Sequence, residues 1–455
     1  MTRRELALLL PLLLLFVLAT GVVPDRPDDE AGYVALAERL VDGYYTTGND
    51  AALLDPDPSY PDLWFGPGLP LVLTPLVALG APVEALRFVG PLLLFLAVVV
   101  FFALVRLRFP ARTARAAAYL LGLYLPFVTL LPNLHSEPLG ILLLVVGLYA
   151  SARHLLDRRL GWLLLGAASF AGLALTRVAF GWVLAVSAVV LVGWAAVARR
   201  PLLLRLAAMQ LAALVLCAPW LFFTWQTTER FPVWGTSGSL SLYWMASPYE
   251  GDAGDWRRAD DVFSDAALAP HRPLFESLRG LDLGEQTREL EEAAVRNVLD
   301  HPGAYAGNLA ANASRMLVNA PYSETSWSAR GLVFAIPNLL LLGAVLLVAA
   351  QFARKRPALP PETVPFVILG VSNVALHLLV ASYPRMLMLS VPVAVWLVAV
   401  GLAALRGIAY TSAEGHERRR EGGRSSSPAI ARTSASVWSP STLTTRKTRP
   451  SPAPE

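Results

Sequence analysis

Charged residues are scarce in this sequence of 455 residues, of which 16% are charged and 55% are hydrophobic. A soluble protein of this length could not cover so much apolar surface with so few charges. The single cysteine, Cys217, excludes an intrachain disulfide, so cysteine content does not indicate the redox compartment. A Gly-rich phosphate-binding loop and an internal repeat are also missing. The formal charge of +4 comes from short loops and the C-terminal tail, which argues against a nucleic-acid partner.

The sequence is instead rich in uncharged apolar runs, most of them long enough to cross about 30 Å of hydrocarbon as helices. These runs contain mainly Leu, Ala and Val and do not alternate with period two, which excludes membrane strands. We therefore predict an all-α polytopic membrane protein with about ten to eleven transmembrane helices and amphipathic juxtamembrane helices in the first outer loop. The runs are 5–23, 86–105, 116–131, 138–150, 160–176, 178–195, 206–223, 330–352, 361–381 and 386–405.

Two apolar stretches allow a second interpretation. The first run follows Arg3 and Arg4 and contains small residues near its end, so it could be a cleaved signal peptide. Its length and poor cleavage pattern favour an uncleaved anchor. The stretch 67–82 is short and carries four prolines, which favours a re-entrant or interfacial segment over a spanning one.

Arginine and lysine in short loops predict the orientation, because such residues mark the cytoplasmic side. Their positions put both termini in the cytoplasm of a plasma-membrane protein in contact with the lipid bilayer. Four segments then fall outside: the loop 24–66, the turn 132–137, the loop 224–329 and the turn 382–385. The predicted divisions are a transmembrane catalytic module 1–223 that includes the outer loop 24–85, an extracytoplasmic loop 224–329, C-terminal helices 330–406 and a disordered cytoplasmic tail 407–455.

The first outer loop carries its densest acidic cluster, Asp28-Asp29-Glu30, directly after the first run. The apolar residues Tyr33, Leu36, Ala37, Leu40 and Val41 follow with helical spacing and predict a short amphipathic helix. Asp28 or Asp29 could cap that helix, with the remaining acids in its first turn. Alternatively, one carboxylate at the lipid–water boundary could act as a general base or orient an attacking hydroxyl group.

Glu137 precedes Pro138 at the outer end of a predicted helix. An acid followed by proline is a favourable helix start, which explains the pair structurally. A charge so close to hydrocarbon is also costly unless it is solvated or used, so Glu137 could be a second functional carboxylate.

Two arginines lie on the predicted outer side, against the general trend. Arg177 interrupts an apolar hairpin, and Arg385 follows Tyr383 between the last two runs. Each could reach toward lipid headgroups. Alternatively, their planar guanidinium groups could bind a phosphate or diphosphate leaving group.

Taken in order, these motifs make the chain resemble the superfamily of membrane glycosyltransferases that use polyprenyl-phosphate sugars, known as GT-C. Within it, the bacterial branch akin to protein O-mannosyltransferases and the lipid A aminoarabinose transferases is most similar. The likeness covers about residues 1–405. Its first motif is Asp29-Glu30-Ala31-Gly32-Tyr33, which is similar to an Asp-Glu-x-x-Tyr signature of the family. The other motifs are, in order, Phe65-Gly66-Pro67-Gly68-Leu69-Pro70, His135-Ser136-Glu137-Pro138, Leu175-Thr176-Arg177, Ala218-Pro219-Trp220, 293–303 and Tyr383-Pro384-Arg385. Two departures are Gly66-Pro67, where relatives often have Lys-Pro or Pro-Pro, and the altered order of Tyr and Arg at 383–385.

The resemblance implies an inverting transfer from a polyprenyl-phosphate sugar donor to an unknown extracytoplasmic acceptor. Asp29 would be the base, with Asp28, Glu30 and Glu137 in support. Arg177 and Arg385 would stabilise the departing phosphate, with Tyr33 and Tyr383 also contacting substrate. No metal ligand is assigned, and the need for a cofactor stays open: so many acids could bind a divalent cation, but related enzymes that use monophosphate donors often function without one.

Two other classes of protein compete with a transferase. A transporter or lipid flippase could use outer carboxylates and arginines as gates, but transporters place polar sites at the bilayer midplane in broken helices. A scaffold for envelope assembly would make the clustering of carboxylates and arginines coincidental.

Overall fold

The computed structural model describes residues 2–22, 29–46, 63–199, 201–321, 329–355, 357–408 and 410–411. Within these ranges every regular element is a helix, as predicted. Three predictions fall on other residues: the role of Asp28, the part of the first outer loop at 47–62, and the disordered tail from 412 onward all lie outside the described residues.

The first half of the chain forms helices around one hydrophobic core, to which Phe101, Leu148 and Trp396 contribute. In chain order these helices are α1 Arg3–Ala7, α2 Leu10–Val22, α3 Glu30–Val41, α4 Gly68–Ala78, α5 Val83–Leu86, α6 Val89–Arg108, α7 Ala111–Gly122, a 3₁₀ helix Leu125–Leu130, α8 Glu137–Asp157, α9 Leu160–Thr176, α10 Ala179–Ala198, α11 Pro201–Leu216 and α12 Ala218–Thr228. The last helices of the chain return to the same core. They are α18 Ala329–Lys355, α19 Thr363–Leu378, α20 Pro384–Leu387, a 3₁₀ helix Met388–Ser390 and α21 Val391–Leu405.

The intervening helices make up a second unit, which we call the loop subdomain (237–318). It has its own core, in which Trp244, Phe275 and Leu290 are fully buried. Its elements are α13 Ser237–Met245, α14 Asp261–Ser264, a 3₁₀ helix Ala266–His271, α15 Arg272–Ser277, α16 Leu283–Asp300 and α17 Pro302–Val318.

Six helical stretches in the described residues are long and apolar enough to cross a membrane, and the predicted count of ten to eleven is not confirmed. A seventh would result if α11 and α12, which meet at 43°, form one bent span. The six are Arg3–Gly21, Val83–Arg108, Glu137–Asp157, Ala179–Ala198, Gly331–Lys355 and Pro384–Leu405.

The difference in count has a local cause in three of the predicted runs. The run 116–131 is not one helix, because α7 ends at Gly122 and the 3₁₀ helix around Pro126 follows. The runs 160–176 and 361–381 do form apolar helices, but α9 has 17 residues and α19 has 16, fewer than the roughly 20 that span a bilayer. Hydropathy alone does not reveal where such a helix stops.

The short segments of the first outer loop form helices, and that 67–82 is re-entrant or interfacial stays a prediction. α4 has 11 residues, about 16 Å at 1.5 Å per residue, which is close to half the thickness of the hydrocarbon. α3 buries Tyr33, Leu36 and Ala37, whereas Val41 at its end is 46% exposed. In residues 285–300, Leu290, Ala294 and Val298 recur on one face and predict an amphipathic helix, which is α16. A capping box between Asp282 and Glu285 fixes its start.

Ion pairs mark the two ends of α6. Arg87, just before α6, binds Glu30, and Arg108, at its last residue, binds Glu362. Because α6 has 20 residues, the two pairs are separated by about 30 Å. The Arg108 end also contacts Thr411, so the tail begins at the end of the bundle opposite to Glu30. That this end faces the cytoplasm stays a prediction.

Candidate active site

Four segments that are distant in sequence meet at the Glu30 end of the bundle. Asp29 precedes α3, Glu137 begins α8, Arg177 joins α9 to α10, and Arg385 lies in α20. Their side chains form two linked pairs of opposite charge, which we call the carboxylate–arginine cluster. Charges brought so close to a bundle of apolar helices are costly unless they are paired or functional.

Asp29 is 6% exposed, and its Oδ2 accepts a hydrogen bond from Nη1 of Arg385 at 2.7 Å. The residue occupies the N-cap position of α3 but makes no side-chain hydrogen bond to that helix. The capping role considered for Asp29 is therefore wrong. Burial raises the pKa of the Asp29 carboxyl, but the positive charge of Arg385, with His135 and Arg177, outweighs it and lowers the pKa below 3.8. The site thus holds Asp29 as a carboxylate.

Glu137 is fully buried at the start of α8, where Pro138 lies in the first turn, as the sequence predicts. Its Oε1 accepts a hydrogen bond from Nη1 of Arg177 at 2.9 Å and lies 3.9 Å from Nε of Arg385. Among the described residues, none donates a hydrogen bond to its other oxygen, Oε2. A buried carboxylate oxygen without a donor is unfavourable, so a donor group on a substrate would stabilise it.

Ser136 connects the aromatic and charged parts of the site. Its Oγ accepts hydrogen bonds from Nη1 of Arg177 at 3.1 Å and from the hydroxyl of Tyr33 at 2.9 Å. Burial and then the nearby charges of Asp29 and Glu137 raise the pKa of Tyr33 well above its ordinary value, so its hydroxyl stays protonated. Tyr33 is thus a fixed neutral donor beside the cluster.

Glu30 does not join the cluster, although it is adjacent to Asp29. Both of its oxygens bind Arg87, at distances from 2.6 to 3.2 Å, and Oε2 also accepts from the backbone N–H of Leu134 at 3.0 Å. Glu30 therefore connects α3 to the segment before α6 and to the turn that leads into Ser136 and Glu137. The side chain of Tyr383 points toward the loop subdomain and not toward the cluster, since its hydroxyl donates to the carbonyl of Trp256 at 3.2 Å.

Two glycines allow the close contacts around Arg177. A Cβ atom at Gly66 would lie 2.1 Å from the carbonyl oxygen of Leu175, and one at Gly68 would lie 2.1 Å from Oγ1 of Thr176. Both distances are far shorter than a van der Waals contact, so the start of α4 can approach the end of α9 only without side chains here.

The turn before Arg385 is held by a buried asparagine of the loop subdomain. Nδ2 of Asn312 donates to the carbonyls of His377, Leu378 and Val380, and its Oδ1 accepts from the N–H of Ser382 at 3.0 Å. Asn312-Ala313-Ser314 matches a glycosylation motif, but Asn312 is fully buried, so the motif is not accessible in the folded protein. Its position supports the backbone that carries Arg385.

Several residues of the site were not singled out from the sequence. Arg87 had a usable signal, because it places a charge at the outer end of the predicted run 86–105. Ser136 lies within the motif His135-Ser136-Glu137-Pro138, but its contacts with Arg177 and Tyr33 could not be predicted, and neither could those of Asn312, since the partners come from distant segments. Among the described residues, no group of three or more His, Cys, Asp or Glu side chains could hold a metal ion.

Comparison with known proteins supports the GT-C resemblance. Residues 66–223, which include Glu137 and Arg177, match the family model described as dolichyl-phosphate-mannose-protein mannosyltransferase. None of the curated proteins matches the sequence.

The fold is similar to that of the archaeal oligosaccharyltransferase AglB from Archaeoglobus fulgidus. Its structure with an inhibitory peptide and a dolichol-phosphate aligns with a TM-score of 0.52 and 13% identity over 94% of this chain and 52% of that one. The apo form of the A. fulgidus oligosaccharyltransferase gives a TM-score of 0.52 and 16% identity over 94% and 53%. This chain thus spans about half the length of the structures it matches. The resemblance to GT-C glycosyltransferases, drawn from the sequence motifs, is confirmed by the family model and by the fold.

Proposed function

We propose that this protein is a membrane glycosyltransferase that moves a sugar from a polyprenyl-phosphate donor to an acceptor outside the cytoplasm, with inversion at the anomeric carbon. The observation that carries the proposal is the carboxylate–arginine cluster, in which Arg385 lies between Asp29 and Glu137. In such a buried site, the two guanidinium groups can stabilise an anionic leaving group, and the two carboxylates can bind the hydroxyl group that attacks the sugar.

The arginines are proposed to bind the phosphate. A polyprenyl-phosphate sugar carries one negative charge, and a second develops on the phosphate as its bond to the sugar breaks. Arg177 and Arg385 are 12% and 26% exposed at their side chains, so each can meet an incoming anion while remaining partly shielded from water. Charge-assisted, bidentate hydrogen bonds from guanidinium groups fit phosphate oxygens well.

Asp29 is proposed to accept the proton. The acceptor oxygen forms a bond to the anomeric carbon, and the bond between that carbon and the phosphate oxygen breaks with its electron pair on the phosphate. The acceptor proton passes to the Asp29 carboxylate. Because the pKa of Asp29 is lowered, it is a weak base, and we expect proton transfer late, when the new C–O bond has made the proton acidic.

Glu137 and Tyr33 are proposed to orient the substrates. Glu137 Oε2 is buried beside Arg177 and can accept a hydrogen bond from a sugar or acceptor hydroxyl. The hydroxyl of Tyr33 donates to Ser136 and so fixes the position of Ser136 beside Arg177. Glu30 is proposed to act through position only, because Arg87 and Leu134 already engage its oxygens.

The test is transfer from radiolabelled polyprenyl-phosphate sugars by purified protein in lipid. Asp29→Asn should abolish transfer in a folded protein. The matched control is Asp42→Asn, the same change at the exposed other end of α3, which should retain wild-type activity. Undiminished transfer by Asp29→Asn would remove Asp29 from the mechanism. If the wild type transfers no sugar but moves lipid-linked sugars across vesicles, the transporter alternative is favoured.

The outside location is testable with cysteine labelling. Cys217 is the single cysteine and is buried, so Cys217→Ala provides a background free of thiols. In intact cells, a membrane-impermeant maleimide should label Ser277→Cys in the loop subdomain and not Arg112→Cys, which is exposed at the start of α7. The opposite labelling pattern would invert the proposed orientation.

A further inference from the structure

The loop subdomain contains a groove that is separate from the carboxylate–arginine cluster. Its volume is about 290 Å³, and the residues that line it include Tyr243, Tyr249, Pro270, Pro273, Arg296 and Asn297. The proposed transfer chemistry uses none of these residues. Two tyrosines and two prolines beside an arginine and an asparagine suggest a binding surface for a ligand with both apolar and hydroxyl-bearing faces.

A buried hydrogen-bond chain supports Tyr243 from behind the groove. The Tyr243 hydroxyl lies 2.7 Å from Nδ1 of His271, and Nε2 of His271 lies 2.9 Å from Oδ2 of Asp252. A carboxylate only accepts, so a neutral His271 carries its proton on Nε2 and accepts at Nδ1. Tyr243 then donates to His271, which fixes the orientation of the Tyr243 ring at the edge of the groove.

The walls of the groove are fixed before any ligand binds. The hydroxyl of Tyr249 donates to the carbonyl of Pro270 at 3.4 Å, and its ring meets His271 edge-on at 4.8 Å. Trp244 packs against the other side of His271 at 4.6 Å and is fully buried. A site whose aromatic groups are already ordered loses little side-chain entropy on binding.

The donors of the groove come from one helix. Arg296 and Asn297 are neighbours on α16, and Arg296 lies 3.7 Å from Glu292 on the same helix. Glu292 is shared with Arg288, 3.9 Å away, so it offsets the charge of Arg296 only in part, but its carboxylate opposes a polyanionic ligand beside the N–H donors of the groove. A saccharide fits this combination, because its ring can stack on the exposed side chain of Tyr249 and its hydroxyl groups can accept hydrogen bonds from Arg296 and Asn297.

We propose that this groove binds a neutral oligosaccharide and that the acceptor of the proposed transferase is a glycan. The assignment of the glycan as acceptor rests on the proposed function. α13, which carries Tyr243, also accepts a hydrogen bond at Ser241 O from Ala381 N at 3.0 Å, and Trp256 O accepts from Tyr383 at 3.2 Å. The helix that carries Tyr243 therefore also contacts the turn that leads to Arg385.

Binding is measured by saturation-transfer NMR and titration with the full chain in lipid nanodiscs. The probes are maltotriose, mannotriose, cellotriose and chitotriose, with a proline-rich decapeptide and trigalacturonate as competitors of other chemistry. We expect at least one neutral trisaccharide to bind, and Arg296→Ala or Asn297→Ala to weaken it about tenfold through loss of a hydrogen bond. The matched control is Arg288→Ala, an arginine of similar exposure on α16 that also faces Glu292 but does not line the groove.

The outcomes separate the two proposals. Asp29→Asn should bind the trisaccharide as the wild type does while failing to transfer sugar. Absence of binding for every neutral trisaccharide, equal loss in Arg288→Ala, or tighter binding of the decapeptide or of trigalacturonate would each overturn the glycan groove, even if transfer is intact. Binding with no transfer from any donor would retain the groove and reject the transferase.

Discussion

Arg385 donates a hydrogen bond to Asp29 across 2.7 Å, although the two residues are 356 positions apart in the chain. The same guanidinium lies 3.9 Å from Glu137, so one side chain serves two carboxylates. An arginine can do this because its N–H groups point in several fixed directions, whereas an ammonium group is a single point charge. The relationship makes Arg385 the residue whose replacement should be most informative.

Arg385→Lys should lower sugar transfer at least about tenfold, because lysine cannot hold both carboxylates and a phosphate at once. Arg385→Gln should lower it further. The measurement is the initial rate of transfer at saturating donor. Arg230→Lys is the matched control, since Arg230 is 31% exposed against 26% for Arg385 and also pairs with a carboxylate at 2.7 Å, that of Glu291, but is not part of the cluster. Full activity of Arg385→Lys would contradict the proposed role.

Glu30 and Arg87 should behave as one unit that positions the turn before Glu137. Glu30→Gln and Arg87→Gln should each lower kcat with little change in KM for the donor, since neither side chain is proposed to touch substrate. In a double-mutant cycle the combined variant should be no worse than either single variant, which corresponds to about 1–2 kcal/mol of coupling. Strictly additive losses would show that the two side chains act independently, and a loss in Glu30→Gln alone would indicate that Glu30 meets the substrate directly.

The pH dependence of stability should report on Asp29. Its pKa is lowered below 3.8 in the folded protein, so ionised Asp29 stabilises the fold at neutral pH, and this contribution is lost only as pH falls below 3.8. The unfolding temperatures of wild type and Asp29→Asn should therefore differ by a constant amount from pH 7 to 5 and converge in stronger acid. Convergence already at pH 6 would mean that the carboxyl is protonated in the folded state.

The ion pair between Arg108 and Glu362 should be the costliest to break. Nε and Nη2 of Arg108 donate to the two oxygens of Glu362 at 2.6 and 2.7 Å, and both side chains are buried. Glu362→Gln leaves a buried arginine without its counter-charge and should destabilise the protein by about 3–5 kcal/mol, measured by thermal unfolding in detergent. Glu292→Gln in the exposed pair with Arg288 should change stability very little. An equally stable Glu362→Gln would show that water reaches Arg108.

The sidedness of the charges could be predicted from the sequence, and the pairing between them could not. Arg177 and Arg385 attract attention because they oppose the distribution of the other arginines, and the acidic residues lie in segments of the same predicted side. Which carboxylate meets which guanidinium depends on how α3, α8, α9 and α20 pack. Glu30 is the clearest example, because its neighbour Asp29 joins the cluster while Glu30 turns to Arg87.

Helix ends were the least predictable part of the fold. The run 116–131 has the hydropathy of a span, but α7 ends at Gly122 because the chain continues into a 3₁₀ turn around Pro126. Proline at the start of such a turn is compatible with several continuations, and the choice is made by packing, here of Tyr124 against Phe127. Amphipathic α3 and α16 were recognised more easily, because one-sided burial leaves a periodic pattern in the sequence.

The hydrogen bonds of Asn312 have a consequence for any attempt to shorten this protein. The loop subdomain looks dispensable in sequence, since it lies between two groups of apolar helices. However, Asn312 and Ser241 bind the backbone between 377 and 382 from that side, and Trp256 binds the hydroxyl of Tyr383. A chain trimmed to its apolar helices would keep Asp29 and Glu137 and lose the brace beneath Arg385. We expect such a shortened protein to fold around its core but to lose the fixed position of Arg385 opposite Asp29.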